Sequence, residues 1–302
     1  MGVVVLFEYR LHLVLGEECI LESKYVINEP TLGKQYNGNI SEQHWAHSSP
    51  ALSNIFKYSY DGLNRLKNGT STGTVMIEDL AYDDMGNITV LKRNVGNTAT
   101  LTTTSYAYNN ANKSNRLLSV TGGVSGTYTY DLNGNAKTDR TGMNFNYNHL
   151  NLLDSAWNAG STVKVGYLYD ALGTKLRKYS TQGGNRDYVG GIEYNGSVIE
   201  LIHTGAGVAY RNSNGTYTYR YNLTDHLGNV RSTVYRNPAN NLVEVLQKDD
   251  YYPFGKQRIV AAGNNRKSVA MSSFVPLKDK LLMQIISIFI MVKNPVREHE
   301  GN

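Results

Sequence analysis

The residues best able to do chemistry are seven histidines (His12, His44, His47, His149, His203, His226 and His299), one cysteine, Cys19, and an adjacent acid pair, Asp249–Asp250. Metal binding needs ligands at a spacing that brings three or four of them to one point. His44 and His47 stand three apart, with no helical context and no third ligand, and no other histidines pair. Nucleophilic or phosphoryl chemistry would leave a Gly-x-Ser-x-Gly elbow or a glycine-rich loop closed by Lys, and neither is present. Side chains of adjacent strand residues point to opposite faces, a poor geometry for a carboxylate dyad, so Asp249 and Asp250 are expected to be solvated strand-end carboxylates. Asp131, Asn133 and Asn135 alternate like the start of a calcium loop. Ala136, however, stands where such a loop needs Gly, and Gly142 where it needs Glu. A single cysteine builds no intrachain disulfide framework. The expectation is a protein that is not an enzyme and holds no metal or cofactor.

Composition points elsewhere. Of 302 residues, 40% are hydrophobic and 18% charged, and tyrosine carries much of the apolar load, with 23 Tyr against 6 Phe and 2 Trp. Tyr packs a ring on a half-buried surface, keeps its hydroxyl hydrogen-bonded and favours strands. The 29 Gly accompany only 6 Pro, so the glycines read as turn residues rather than as a linker. The net charge of +5 is spread over single Lys and Arg residues with no basic run, which argues against nucleic acid as a partner. No export signal is expected, because Glu8 and Arg10 interrupt the apolar stretch Val3–Phe7. No membrane span is expected either: Leu281–Val292, twelve residues apolar apart from Gln284 and Ser287, is too short to cross a bilayer as a helix.

The elements that position these residues are announced by a repeat. Aromatic pairs two apart recur at Tyr58/Tyr60, Tyr106/Tyr108, Tyr128/Tyr130, Phe145/Tyr147, Tyr167/Tyr169 and Tyr219/Tyr221, with Leu80/Tyr82 as a variant. The second members, at 60, 82, 108, 130, 147, 169 and 221, step by 22, 26, 22, 17, 22 and 52. Spacing of two places both rings on one face of a strand.

Behind each pair stands turn chemistry. Tyr60 is followed by Asp61 and Asn64, Tyr82 by Asp83 and Gly86, Tyr108 by Asn109 and Asn112, Tyr130 by Asp131 and Gly134, Tyr147 by Asn148 and Asn151, and Tyr169 by Asp170 and Gly173. Asp or Asn at the first position caps N–H groups two or three residues on, and Gly or Asn accepts the left-handed conformation that closes a type I hairpin turn. Second strands follow, for example Asn87–Leu91, Arg116–Val120 and Lys175–Tyr179. Each unit is therefore a β-hairpin, and hairpins must stack edge to edge to be stable. The fold class is all-β: stacked antiparallel hairpins forming a curved, partly wrapped sheet.

The segment Tyr167–Gly173 and its siblings resemble YD repeats of the RHS (rearrangement hotspot) family. The run Tyr221–Arg231, with Asp225, His226, Gly228, Asn229 and Arg231, followed by Tyr251-Tyr252-Pro253-Phe254-Gly255, resembles the RHS repeat-associated core in its Bacteroidetes-type variant. The stretch from Tyr36 to Trp45 also looks like family sequence, so the resemblance covers about residues 36–258. It implies a spiral β-sheet wrapping into a hollow cocoon, which in toxin systems encloses a variable C-terminal domain and has relatives in insecticidal toxin complexes and teneurins. The implied partners are the rest of the parent shell and its enclosed toxin domain, in a secreted or cell-surface setting. The Tyr-Tyr-Asp-Pro-like and Asp-Pro-x-Gly stretches that follow in the family are absent, so self-cleavage is not expected and a truncated or frame-shifted fragment is. Residues 1–35 and 259–302 fall outside the pattern, the latter as a short helix or disordered tail. His226 is expected as a turn histidine beside Asp225. A second expectation is a module whose exposed Tyr, Asn and Arg bind surface glycans or proteins.

Overall fold

The computed structural model describes residues 9–15, 18–26, 37–46, 54–158, 164–225 and 227–262, the backbone alone at 9–26 and 259–262. His226 and Leu281–Val292 lie outside the described residues. The described residues form two sheets, one of 10 strands from Tyr9 to Thr127 and one of 14 strands from Thr129 to Ala262. In both, every strand pairs antiparallel with its neighbour in sequence, so the hairpins stack in the order in which they are encoded. This is the all-β architecture that period two and the turn residues imply. The sheet takes in strands Tyr9–Leu15 and Glu18–Val26, ahead of residue 36.

The hairpin between strands Ile77–Tyr82 and Ile88–Asn94 shows how the local sequence dictates the turn. The Asp83 N–H donates to the Asn87 carbonyl at 2.9 Å, and the Gly86 N–H donates to the Asp83 carbonyl at 3.1 Å. The Asp83 carboxylate accepts from the N–H groups of Met85 and Asn87 at 3.0 and 2.8 Å. Gly86 closes the turn at φ 86°, a left-handed conformation that costs an L side chain energy. Asp170 and Asp225 repeat the pattern with Gly173 and Gly228. Asp131 does so with Gly134, while Asn64 and Asn151 take the glycine place at φ 63° and 57°. One detail departs from expectation. The carboxylate caps the second and fourth N–H groups rather than the second and third, because the turn's own carbonyl already holds the third.

The turn after Tyr108 departs further. Asn110, Ala111 and Asn112 all take left-handed angles, and Asn109 donates to Arg116 rather than to a residue four positions on. Pairs of Tyr followed by Asn therefore do not all encode the same loop length.

Tyrosine hydroxyls join one hairpin to the next. Tyr82 donates to the Leu66 carbonyl at 2.6 Å, Tyr108 to Ile88 at 2.8 Å, Tyr130 to Leu117 at 2.8 Å, Tyr169 to Leu153 at 3.0 Å and Tyr251 to Val230 at 2.8 Å. Each acceptor is the first residue of the return strand of the preceding hairpin. Rings of the repeat pack over small apolar clusters: Tyr82 covers Leu66 and Leu80, and Tyr147 and Tyr167 cover Met143, Phe145, Leu153 and Ala156. At the junction of the sheets the run Gly126–Tyr130 changes partner. Gly126 and Thr127 face Val120 and Ser119, whereas Thr129 and Tyr130 face Thr138 and Ala136. Buried Tyr128 bridges the change by donating its N–H to Leu118.

Two predictions follow from the turns and ties. Removing the hydroxyl in Tyr82→Phe is expected to lower stability by about 1 kcal/mol, and Gly86→Ala by about 1–2 kcal/mol, both read from urea unfolding midpoints. Stability is also expected to fall at both ends of the pH scale. The Asn135 side chain holds the Asp131 carboxyl below its usual range, and the Thr174 N–H does the same for Asp170. A depressed folded pKa gives stability that is present above the unfolded value near 3.9 and lost as pH falls through the folded value. Burial pushes the Tyr147 and Tyr167 phenols up to about 12. That stability is complete below an unfolded value near 10 and lost as pH rises toward 12. Melting temperature against pH, with phenolate absorbance delayed beyond pH 10, checks both limbs.

Candidate functional site

The most specific long-range arrangement lies where the last described hairpin meets the first sheet. Its strands are Val243–Tyr251 and Gln257–Ala262. Its turn is built like the Asp turns, with Tyr252 in the acid's place: Tyr252 donates to the Lys256 carbonyl and Gly255 to the Tyr252 carbonyl. Tyr252 enters a buried cluster with Trp45, Phe56 and Met76. Phe254 joins Leu66 and Leu80. Between them Pro253 lies over Gly69, in the strand Leu66–Thr72, so closely that a Cβ on Gly69 would sit 2.3 Å from the Pro253 Cγ.

Polar groups fix this contact. The Phe254 N–H donates to Glu78 Oε2 at 2.8 Å, across 176 residues of chain. Glu78 is fully buried, and its other oxygen accepts from Arg93 Nε at 2.5 Å. Burial pushes the Glu78 carboxyl above its usual range, against the pull of Arg93, the Phe254 N–H and Lys256. The Arg93 guanidinium lies 5.2 Å from the centre of the Tyr252 ring, and the Tyr252 hydroxyl donates to the Asn94 carbonyl at 3.3 Å. Arg258 reaches Asn97 beyond it.

Behind the turn sits an acid–arginine cluster. The Asp225 Oδ2 accepts from Asn229 Nδ2 at 3.1 Å and from Arg231 Nε at 2.9 Å, and both charged side chains are buried. Asp250 lies 3.8 Å from Arg231 and 3.9 Å from Arg258. Here the expectation of solvated carboxylates fails, since Asp249 and Asp250 are 0% and 1% exposed. The register shift between Lys248 and Asp249 breaks simple alternation. Each acid then finds its own partners: Gln247 Nε2 donates to Asp249 at 2.5 Å, and the two arginines face Asp250.

The structure thus brings together Asp225, Gly228, Asn229 and Arg231, and separately Pro253, Phe254 and Gly255. Tyr60 with Asp61, Tyr82 with Asp83 and Gly86, Tyr130 with Asp131 and Gly134, and Tyr169 with Asp170 and Gly173 stand at successive hairpin ends, apart from these clusters. Tyr221 is 46% exposed and belongs to neither cluster, because Thr224, not Tyr221, precedes Asp225. His44 is held by Glu42 and His203 by Glu193, and among the described residues no three His, Cys, Asp or Glu side chains could hold a metal ion. Sequence reasoning missed Gly69, Glu78, Arg93 and Met76, and placed Trp45 only within a family-like stretch. Only Gly69 carried a signal, since glycine inside a strand marks close approach of other chain atoms.

Comparison with family models matches residues 22–256 to the Teneurin YD-shell. Comparison with curated proteins finds no match. Among solved structures, the crystal structure of TcdB2-TccC3-TEV is similar at 14% identity and a TM-score of 0.49, over 80% of this chain and 15% of that one. TcdB2-TccC3 without its hypervariable C-terminal region is similar at 13% identity and a TM-score of 0.49, over 82% and 15%. A Photorhabdus luminescens Tc holotoxin pore gives 11% identity and a TM-score of 0.32, over 79% and 19%. The chain spans less than a fifth of the length of these structures.

The contact of Gly69 with Pro253 predicts energetic coupling. Gly69→Ala is expected to cost about 1–3 kcal/mol by overpacking, and much less when Pro253 is already Ala. A double-mutant cycle by urea unfolding measures the difference, and additive effects would mean that the turn does not dock on the first sheet.

Proposed function

Because the chain belongs to the Teneurin YD-shell family, we propose that it is a non-catalytic structural segment of a β-shell that encapsulates or delivers a toxin domain. The observation that carries this reading is the hydrogen bond from Phe254 to Glu78, through which the last described hairpin docks on the first sheet. A wall that must exclude the outside needs stiffness along the sheet and contact between distant parts of it. Strand pairing with the tyrosine ties supplies the first, and the Tyr252-Pro253-Phe254 turn supplies the second. In this reading the repeat region, about residues 36–258, works by steric and mechanical means. The motif residues at its turns, together with Asp225, Arg231, Pro253 and Phe254, hold the wall in shape and carry out no covalent chemistry. Its partners are the remainder of the shell and the enclosed domain, in a secreted or cell-surface setting. Among the described residues no helix is long and apolar enough to cross a membrane.

A second reading, a module that binds surface glycans or proteins, draws on one observation. Tyr217, Tyr219 and Tyr221 form an exposed row, with the last two rings stacked at 6.5 Å.

Two measurements test the shell reading. Limited trypsin digestion of the purified chain is expected to leave a resistant core within residues 37–258, and Gly69→Val is expected to speed its loss. Cleavage throughout that region at the rate of an unfolded chain would defeat the wall reading. Sequencing the DNA on both sides of the gene tests encapsulation: further Tyr-Asp repeats and a variable domain support it, and an isolated module favours the surface-binding reading.

A further inference from the structure

Five asparagines stand directly before a glycine: Asn37, Asn68, Asn133, Asn195 and Asn214. Such a pair can modify itself with no reagent but water. The glycine's backbone nitrogen, on losing its proton, attacks the asparagine Cγ. The N–Cγ bond forms as the Cγ–Nδ2 bond breaks, and the side-chain nitrogen leaves as ammonia with the proton. Water then opens the cyclic imide at either carbonyl, giving aspartate or isoaspartate. Glycine favours the attack because it has no Cβ to crowd the nitrogen. Hydrogen bonds that hold the side-chain amide or the glycine N–H oppose it, since they must break first.

Four of the five pairs are held in this way. Asn37 Nδ2 donates to Asn64 Oδ1 at 2.5 Å, and its Oδ1 accepts from the Asn39 N–H at 3.1 Å. Asn68 Nδ2 donates to Asp79 Oδ1 at 2.5 Å, and Gly69 is paired within its sheet on both sides. Asn133 Nδ2 donates to Asn151 Oδ1 at 3.0 Å, while the Gly134 N–H donates to the Asp131 carbonyl at 3.1 Å. Asn214 Oδ1 accepts from the Thr216 N–H and hydroxyl at 3.1 and 2.7 Å, and the Gly215 N–H donates to the Asn212 carbonyl at 3.0 Å.

Asn195 differs. It ends the strand Ile192–Asn195 and pairs with Val198, which opens the strand Val198–Thr204, so Gly196 and Ser197 alone form the turn. All four residues from Asn195 to Val198 are exposed. Among the described residues neither the Asn195 side chain nor the Gly196 N–H has a hydrogen-bond partner. The bond that closes such a turn runs between the flanking residues and leaves the first turn N–H outside it. Gly196 takes φ 62°, and a Cβ there would meet nothing within 4 Å, so its nitrogen is open to solvent base. Turning Asn195 to bring its Cγ to that nitrogen disturbs only the end of the ladder, which opens most easily. The product is tolerated as well. Arg186 stands abreast of Asn195 on the neighbouring strand, on the same face, and already pairs with Glu193 at 3.3 Å and Glu200 at 2.9 Å. A carboxylate at position 195 would face that cation.

We propose that Asn195 is a self-modification site of the folded chain, which loses ammonia through attack by the Gly196 nitrogen and gains a negative charge at the hairpin tip. The proposal goes beyond the shell reading and does not depend on it, so its failure would leave that reading intact.

Peptide mapping by mass spectrometry tests it, on the full chain held in mildly alkaline buffer at body temperature. The peptide with Asn195 is expected to exchange amide for acid about tenfold faster than those with Asn37, Asn68, Asn133 and Asn214. In urea, where the turns are lost, the five pairs are expected to convert at similar rates. An isoaspartate methyltransferase with a labelled methyl donor is expected to tag the aged wild-type chain, and Asn195→Gln to remove most of that label. Circular dichroism is expected to show the strands intact in the aged chain and in the variant. Conversion led by another pair in the folded chain, equal rates at all five, or an Asn195 that remains an amide overturns the proposal.

Discussion

The structure depends on the hydroxyl of a strand-end tyrosine reaching the carbonyl that opens the previous return strand. A stack of hairpins has no thick core. Its buried side chains gather in small clusters, such as Leu66, Leu80 and Phe254 or Met143, Phe145, Leu153 and Ala156. Hairpins joined by ladder hydrogen bonds alone can slip in register, since period two provides few landmarks along a polar sheet. The tie removes that freedom. Tyr82, Tyr108, Tyr130, Tyr169 and Tyr251 each mark one carbonyl in the preceding unit through a part-buried bond. Phenylalanine would cover the same apolar surface and leave the register loose, which is the physical reason for Tyr at these five positions.

The acid turn and the tyrosine tie act as one unit. The tyrosine ends the outgoing strand, and the next residue caps the turn through its second and fourth N–H groups. Glycine or asparagine then takes the left-handed angle that sends the chain back. The Tyr252-Pro253-Phe254-Gly255 turn keeps this backbone pattern and gives up the acid cap. Its three leading side chains are turned to another use, as they pack on strands more than a hundred residues away. A loop that needs no carboxylate of its own meets one from outside, since Glu78 accepts the Phe254 N–H.

Buried charge marks both sides of that contact. A buried ion pair adds little net stability, because the cost of desolvation offsets the attraction. Its effect is on specificity. Glu78 accepts from both Arg93 and the Phe254 N–H, and Arg231 and Arg258 flank Asp250. A hairpin docked one residue out of place would leave a carboxylate unpaired in a dry site, a far larger penalty than the pair's net gain. The arrangement suits a wall whose pieces must meet in one way.

The sequence by itself determined what depends on neighbours. Aromatic spacing of two, with Asp or Asn and then Gly or Asn at fixed offsets, specifies strands, hairpins and the all-β class, because both signals act within a few residues. The motif around Asp225 and the Pro-Phe-Gly run also stood out in the sequence, though not for what they touch. Tertiary structure alone decided the rest. Three left-handed residues lengthened the turn after Tyr108, although its pattern matches the others. Asp249 and Asp250 became buried through a register shift, with Gln247 on Asp249 and two arginines from neighbouring strands on Asp250. Glu78, in a run that reads as an ordinary half-exposed strand, became a buried acceptor, and Gly69 became the seat of Pro253. The physical reason is common to all of these. Sheet curvature accumulates from the twist of many strands, and only that sum decides which distant turn lands on which strand.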